Sequence, residues 1–368
     1  MKVLPENLVP GCLLLKDVQG KTIHPIVPKN TVVEPIHIKV LKDFEVPYVE
    51  VASRLVNGDT FQAPEVDPNT IKQEQNHSKM QKEPKEYTFF DYYVHAVKQT
   101  KHLFENWEEH PQLDLNKIRQ IVAPFMQEVN LSIEMLLELH HYNDKHDYIY
   151  HHMVANSIIS GFIAKKLNYD HSDCMQVALA AYLSDIGMIK EGAYFYKKDG
   201  VLTEAEYEKV QKHPIVSYRM LEHEPFLSRN IKLAVLQHHE RLDGSGYPLG
   251  VKEDKLHSFA RIIAVSDMYH AMTSERLYRK KQSPFKVIEE MMNEFLGKLD
   301  LKIIEALVQS IVYFSNGTRV RLTNNEIGEI VFVDERHPTR PMVKSESNDE
   351  IIQLVNHQDL YIEEIISS

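Results

Sequence analysis

The sequence has little cysteine, no excess of positive charge and no long apolar run. Its two cysteines, Cys12 and Cys174, are too few for a disulfide scaffold, and we expect a reducing, cytoplasmic environment. The formal net charge of −11 argues against a nucleic-acid polymer as partner, because a phosphate backbone attracts proteins with excess positive charge. No apolar run approaches the ~20 residues that a membrane-spanning helix needs, so no membrane association is expected. A small anionic ligand stays open, provided that basic residues gather locally.

The sequence does contain enough apolar material for a full core. It is 43% hydrophobic over 368 residues, a length that permits two or three domains. Composition and hydropathy divide it into four segments. Residues 1–56 predict a small α+β module, 57–86 a polar linker, 87–315 a helical domain and 316–368 a small β segment.

Apolar residues recur at helical spacing through the long third segment. Within it, Thr203 is expected to start one helix, residues 258–274 to form another and Pro284 to open the next. Shorter patterns predict elements in the flanking segments. These are strands at 12–15, 23–27, 48–51, 318–322 and 329–333, and a helix at 35–44. The predicted fold class is mainly α, a helical bundle flanked by two small parts that contain strands.

The most informative run extends from His238 to Pro248 and reads HHERLDGSGYP. Imidazole is the commonest metal ligand among side chains, and two adjacent histidines at a helix end can reach one ion or two neighbouring ions. The glycines and Pro248 then end the helix, because glycine accepts positive φ and proline cannot continue a helix. We interpret the run as part of a metal site in which Glu240 orients one of the histidines.

Six further positions are candidates for the same site. They are His152, Asp185, His213, Asp243, Asp267 and His270. Asp185 and Asp267 lie in apolar sequence, where an unpaired carboxylate would be costly and a cation is a suitable partner. For Asp267 the alternative is an ion pair with an arginine in the core, and for His270 it is a filler of core space.

These motifs resemble the HD-GYP family, a branch of the HD phosphohydrolases, over residues 148–281. The run from His238 to Pro248 carries the double histidine and the Gly-Tyr-Pro for which the family is named. Shorter matches are Lys212-His213-Pro214, the segment from Arg261 to Asp267 and the basic segment from Thr273 to Lys280.

The resemblance implies an HD-type helical bundle that binds divalent metal ions and hydrolyses the bacterial messenger cyclic di-GMP. Two ions are implied, with one or three as alternatives. Iron or manganese is favoured, with zinc or nickel as alternatives, and mixed histidine and carboxylate ligands suit such metals better than calcium.

The resemblance also implies a role for each candidate residue. One ion would be held by Asp185, His213, His238 and His239. The other would be held by His152, Asp185 and Asp267. Asp185 and Asp243 are the expected catalytic carboxylates. The expected substrate-binding side chains are Tyr247, Arg276, Arg279 and Lys280.

Three positions depart from the family pattern. The family has His-Asp-Ile-Gly-Lys where this chain has Ser184 before Asp185 and Met188 at the lysine position, and the usual aspartate three residues after Asp267 is His270. A serine hydroxyl is a poor ligand for these metals, and methionine carries neither charge nor proton. Because residues i and i+3 share a helix face, we expect His270 to point into the site as a replacement ligand.

Two classes of function follow. The first is a metal-dependent phosphodiesterase for cyclic di-GMP or a related small nucleotide, weakened by these departures. The second is a catalytically inactive binding or signalling protein that responds to the nucleotide. A hydrolase for another phosphorylated substrate is a further alternative, since the HD scaffold serves many substrates. A homodimer and a signalling-protein partner both stay open.

Overall fold

A computed structural model describes most of the chain. The described residues are 1–19, 25–43, 46, 48–63, 88–105, 113–127, 131–189, 198, 200–276, 281–312 and 314–366. Helices dominate the middle and strands the two ends, so the predicted mainly α fold class is confirmed. Over these described ranges, every helix is too short or too polar to cross a membrane.

The N-terminal part combines small antiparallel sheets with one helix. Its elements are β1 (Lys2–Val3), β2 (Cys12–Leu14), β3 (Val18–Gln19), β4 (Pro25–Val27), α1 (Pro35–Asp43) and β5 (Val49–Leu55). Strand β5 lies between β1 and β2, and β3 pairs with β4. Buried side chains such as Val3, Leu41 and Val51 give this part a core of its own. Of the strand predicted at 23–27, residues 23 and 24 lie outside the described residues.

Most of the predicted linker also lies outside the described residues, which omit 64–87. Its first residues pack with the N-terminal part, where Phe61 is buried and its backbone N–H donates to the carbonyl oxygen of Ser53 at 3.0 Å. The bounds of the four segments stay predictions.

The middle of the chain is a helical bundle. Its helices are α2 (Phe89–Glu105), α3 (Leu115–Gln127), α4 (Ile133–Glu138), α5 (Tyr148–Lys166), α6 (His171–Leu183), α7 (Glu204–Val210), α8 (His213–Leu221), α9 (Arg229–Gln237), α10 (Ser258–Thr273), α11 (Pro284–Glu294) and α12 (Leu301–Ile311). Helix α7 starts where the sequence predicts, because Thr203 and Glu206 form a reciprocal capping box. Pro284 lies in the first turn of α11 behind the N-cap Ser283, also as predicted.

Helix α5 lies at the centre of the bundle. It is buried on nearly every side and packs against α6 and α10. Gly161 permits the close approach to α6, since a Cβ at this position would lie 3.2 Å from the Cβ of Ala178. The central position of α5 brings His152 into the interior, between the helices that carry the other candidate ligands.

A five-stranded antiparallel sheet follows the bundle. Its strands are β6 (Arg319–Leu322), β7 (Ile327–Phe332), β8 (Met342–Ser345), β9 (Ile351–Gln353) and β10 (Ile362–Ile365). Their order in the sheet is β10, β6, β7, β8, β9. The sheet is attached to the bundle by the guanidinium of Arg340, which contacts Glu289 of α11 at 2.6 and 2.8 Å. Buried residues such as Val320 and Ile330 join the main core.

Candidate metal centre

Five places in the bundle bring histidine and aspartate side chains together. His152 comes from α5, Asp185 from the residues after α6, His213 from the start of α8, His238 and His239 from the end of α9, and Asp267 from α10. Gly187 allows the segment after α6 to pass close to α8. Its N–H donates to Ser217 Oγ at 2.9 Å, and a Cβ there would lie 2.6 Å from the carbonyl oxygen of His213.

The first cluster consists of Asp185, His213, His238 and His239, whose ligand atoms lie within 4.8 Å of one another. The Nδ1 atoms of His213 and His238 each lie 2.7 Å from a backbone carbonyl oxygen, to which a neutral ring donates its proton. Their Nε2 atoms then present lone pairs to each other at 3.0 Å. Two nitrogens that bind one ion at about 2.1 Å and at right angles lie about 3.0 Å apart, so the arrangement fits a cation.

The second cluster consists of His152, Asp185 and Asp267. His152 Nε2 lies 2.9 Å from Asp267 Oδ1 and 3.3 Å from Asp185 Oδ2. The other oxygen of Asp185, Oδ1, lies 3.4 Å from His213 Nε2 in the first cluster. Asp185 therefore presents one oxygen to each cluster, as a carboxylate shared by two cations does.

Burial and charge set different protonation states in the two clusters. Burial lowers the pKa of His213 to about 4 and the pKa of His239 well below its usual value. Burial also disfavours charge on His152, but its close contacts with the carboxylates of Asp185 and Asp267 prevail and raise its pKa to about 9. The same contacts hold the pKa of both carboxyl groups below their ordinary value, although burial opposes this.

These states predict a pH dependence for cation binding. A cation at the second cluster must displace the Nε2 proton of His152, which the raised pKa retains up to about pH 9. We expect the affinity of this cluster for Mn²⁺ to rise about tenfold per pH unit through neutral pH and to level off near pH 9. Titration calorimetry in buffers of different ionisation enthalpy should show about one proton released per ion at this cluster. A flat affinity with no proton release would contradict the prediction.

Glu240 organises the turn that follows the double histidine. It is fully buried, and its carboxylate accepts the backbone N–H groups of Leu249 at 2.6 Å, Gly250 at 3.1 Å and Val251 at 3.2 Å. The expectation that Glu240 orients a histidine is therefore wrong: the structure shows its carboxylate on the turn. The turn places Tyr247 over His239, with ring centroids 4.7 Å apart.

Asp243, expected as a catalytic carboxylate, lies on the turn that follows the double histidine. Its side chain is exposed, and its carboxylate accepts the backbone N–H of Ser245 at 2.9 Å and the Ser245 hydroxyl at 2.6 Å. This local turn is the usual role of an aspartate that precedes glycine. Asp243 belongs to neither cluster.

His270, expected as a replacement ligand, lies next to the second cluster. It is buried on the same helix as Asp267, but its Nδ1 lies 2.8 Å from the Nδ1 of His152, on the side of that ring away from Asp267. The i, i+3 spacing places both side chains on one helix face without fixing where each ring points. His270 therefore contacts a ligand residue and is absent from both clusters.

The other two departures have plain structural consequences. Ser184 is fully buried, and its hydroxyl donates to the carbonyl oxygen of Ala181 at 2.7 Å, so it turns back onto its own helix. Met188 is buried and lines the cleft next to the clusters. An uncharged side chain thus stands where the family has lysine.

A cleft of about 240 Å³ opens onto the clusters. Its wall includes Tyr148, Tyr207, Tyr247 and Arg276. Arg276 Nη2 donates to Tyr148 Oη at 2.6 Å, and its guanidinium lies 4.3 Å from the centre of the Tyr148 ring. Arg279 and Lys280, also expected to bind substrate, lie outside the described residues.

Two aromatic residues of the cleft were missed by the sequence analysis. Tyr148 precedes His152 by one helical turn, and its Oη lies 3.1 Å from His152 Nδ1. The i, i+4 spacing to a candidate ligand is a signal that could have found it. Tyr207, half exposed on α7, had no such signal, because it does not lie one helical turn from a candidate ligand.

Comparison with known proteins agrees with this geometry. The family model described as "HD domain" matches residues 143–303. A cyclic di-GMP phosphodiesterase of Pseudomonas aeruginosa is 32% identical over 57% of this chain and 50% of its own length. One of Thermotoga maritima is 33% identical over 48% of each chain. A 3'3'-cGAMP-specific phosphodiesterase of Vibrio cholerae is 30% identical over 45% of this chain and 36% of its own length.

Residues 143–303 therefore resemble an HD domain, and both clusters lie within this range. The double histidine and the Gly-Tyr-Pro turn, which resemble the HD-GYP pattern, lie within the same range. The chain spans about half the length of the first two relatives described above.

Proposed function

We propose that this chain is a metal-dependent phosphodiesterase that hydrolyses cyclic di-GMP. The observation that carries the proposal is the position of Asp185, whose two oxygens face the two clusters at 3.4 and 3.3 Å. A shared carboxylate is typical of sites that hold two cations a few ångströms apart for phosphate-ester hydrolysis. The relatives named above act on cyclic dinucleotides, which supports that substrate class.

The donor set supports two divalent cations, one at each cluster. Four histidines and two aspartates offer both nitrogen and oxygen, which favours iron or manganese, with zinc or nickel as the alternatives. Such a pair of ions, when bound, supplies a nucleophile at neutral pH and neutralises charge on the phosphate. In the overall reaction, water adds across one phosphorus–oxygen ester bond and yields a phosphomonoester and a free hydroxyl.

The chain's own residues would prepare the substrate for this reaction. Asp185 and Asp267 bring two negative charges to the cleft and protonated His152 offsets one of them, so a phosphate would be repelled until cations bind. Arg276 brings a positive charge to the cleft and can contact a phosphate with two parallel N–H groups. Tyr247 offers an aromatic face on which a base could stack. Arg279 and Lys280 extend the same basic segment.

A second candidate function has an observation in its favour. Ser184 faces Ala181 and Met188 carries no charge, so the chain lacks two polar groups that the family pattern places next to Asp185. A site without them could retain the nucleotide and leave it intact. The candidate is a binding protein for cyclic di-GMP.

One experiment separates the two functions. The purified chain is loaded with Mn²⁺ or Fe²⁺ under reducing conditions, and cyclic di-GMP binding and hydrolysis are measured on the same sample. We expect slow hydrolysis by the natural chain and faster hydrolysis by the variant Ser184→His with Met188→Lys. A general acid or base, or a charge at phosphate, contributes about 10²–10⁴-fold, so the gain should be large. Hydrolysis by the restored variant alone would establish the binding protein.

Ser184→Ala is the matched control for this experiment. Its hydroxyl contacts only the Ala181 carbonyl among the described hydrogen bonds, so its loss should leave metal content and turnover unchanged. If a chain that holds its metals shows no hydrolysis and no nucleotide binding, both candidate functions are wrong.

A further inference from the structure

His152 is contacted on both sides of its ring. Its Nε2 faces the carboxylates of Asp267 and Asp185, inside the second cluster. Its Nδ1 faces away and has two buried neighbours, Nδ1 of His270 at 2.8 Å and Oη of Tyr148 at 3.1 Å. The orientation of the His152 ring therefore depends on which of these two neighbours accepts a hydrogen bond from its Nδ1–H.

The proton positions follow from the chemistry of imidazole. A neutral ring that binds a cation through Nε2 carries its proton on Nδ1, so His152 must donate from Nδ1. The Nδ1 of His270, at 2.8 Å, can accept this hydrogen bond only if the His270 ring carries its single proton on Nε2. Ser274 Oγ lies 3.1 Å from that Nε2 and can accept it. In this series of hydrogen bonds, His152 donates to His270 and His270 donates to Ser274, so each donor has an acceptor.

The second neighbour of His152 has other contacts. Tyr148 Oη accepts the hydrogen bond from Arg276 at 2.6 Å, and the guanidinium lies over its ring. Tyr148 Oη also lies farther from His152 Nδ1, at 3.1 Å, than His270 Nδ1 does, at 2.8 Å. Tyr148 is thus oriented toward the cleft and its arginine, and His270 is the better acceptor.

We propose that His270 is a positioning residue for the cation of the second cluster. Its Nδ1 accepts the hydrogen bond that His152 donates from Nδ1–H. This hydrogen bond directs the Nε2 lone pair of His152 toward Asp267 and Asp185. The role rests on the proposed function only in requiring a cation at this cluster. A neutral imidazole does this work where the family has a carboxylate, and it adds no third negative charge beside Asp185 and Asp267.

The direct test asks which nitrogens bind the metal. The chain is prepared with isotope-labelled histidine and loaded with an NMR-active cadmium isotope, and splitting of the nitrogen signals by cadmium is recorded. We expect splitting for His152 Nε2, and for His270 an unsplit Nδ1 with the proton on Nε2. Signals of His270 are assigned by their loss in His270→Asn. Splitting at His270 would make it a ligand and overturn the proposal.

Variants test the consequence for affinity. His270→Leu removes the acceptor at similar volume and should lower Mn²⁺ affinity at the second cluster about 10–100-fold, with the first cluster unchanged. His270→Asn keeps an acceptor oxygen near the position of Nδ1 and should retain most of the affinity. Tyr148→Phe removes the other neighbour and should lower it less than about threefold.

The outcomes separate cleanly. Equal affinity in His270→Leu and the unsubstituted chain would overturn the proposal, as would a greater loss in Tyr148→Phe than in His270→Leu. All of these measurements use metal alone, without nucleotide. A chain that binds metal as described here and hydrolyses nothing would therefore refute the proposed function and leave the role of His270 standing.

Discussion

Replacing Asp185 with asparagine is expected to weaken cation binding at both clusters and to abolish hydrolysis. The carboxylate presents Oδ1 to His213 and Oδ2 to His152, so one substitution removes negative charge from two places. The charge stabilisation that a pair of cations provides is worth several kcal/mol, so turnover should fall by at least about 10³-fold. Metal content by elemental analysis and cyclic di-GMP turnover are the two measurements.

Asp243→Asn is the matched control for that variant. The same change of carboxylate to amide falls on an exposed turn, where the side chain contacts Ser245 only among the described hydrogen bonds. Metal content and turnover should both match those of the unsubstituted chain. If Asp185→Asn retained two ions per chain, or if Asp243→Asn lost them, the assignment of the site would be wrong.

Replacing Gly187 with alanine is expected to be strongly disruptive, although it adds only one methyl group next to the site. The added Cβ would lie 2.6 Å from the His213 carbonyl oxygen and 2.8 Å from the Ser217 nitrogen, and both are backbone atoms of α8. Helix α8 must then move, and with it His213 and the hydrogen bond from Gly187 to Ser217. Overpacking of this kind costs about 1–3 kcal/mol. The thermal midpoint should fall by roughly 2–4 °C for each kcal/mol, with reduced affinity at the first cluster.

Gly161→Ala provides the comparison. Its Cβ would meet the sulfur of Met126, the flexible end of a side chain that can rotate away, and would lie 3.2 Å from the Cβ of Ala178, a contact relieved by a shift of a few tenths of an ångström. The same methyl should therefore cost less at position 161 and leave metal binding intact. A larger loss of midpoint in Gly161→Ala than in Gly187→Ala, or full affinity at the first cluster in Gly187→Ala, would contradict this reasoning.

The sequence predicted the architecture well because its signals were local. Helix α7 follows a capping box at Thr203, and the helix predicted at 258–274 is α10. The strands at 318–322 and 329–333 correspond to β6 and β7, within two residues at each end. Periodicity and caps are properties of short segments, and they need no knowledge of the tertiary fold.

The site was harder to predict, because its geometry depends on how distant segments pack. The residues of the two clusters were the ones expected, and the structure brings them together; their roles as ligands stay proposals. Helical spacing placed His270 on the same helix face as Asp267, but it could not show what the ring contacts, since the packing of α10 on α5 decides that. Asp243 and Glu240 lie in a motif rich in ligands, and both stabilise the turn within it.

The candidate ligands are spread over more than a hundred residues, from His152 on α5 to Asp267 on α10. A cation held by them would therefore crosslink helices that also meet through the apolar core. Such a crosslink favours the folded chain by about 2.7 kcal/mol when free metal is a hundred times its dissociation constant. At low metal concentration the chain would then lose both catalytic activity and stability against unfolding. The amount of folded protein would depend on the concentration of the metal ion.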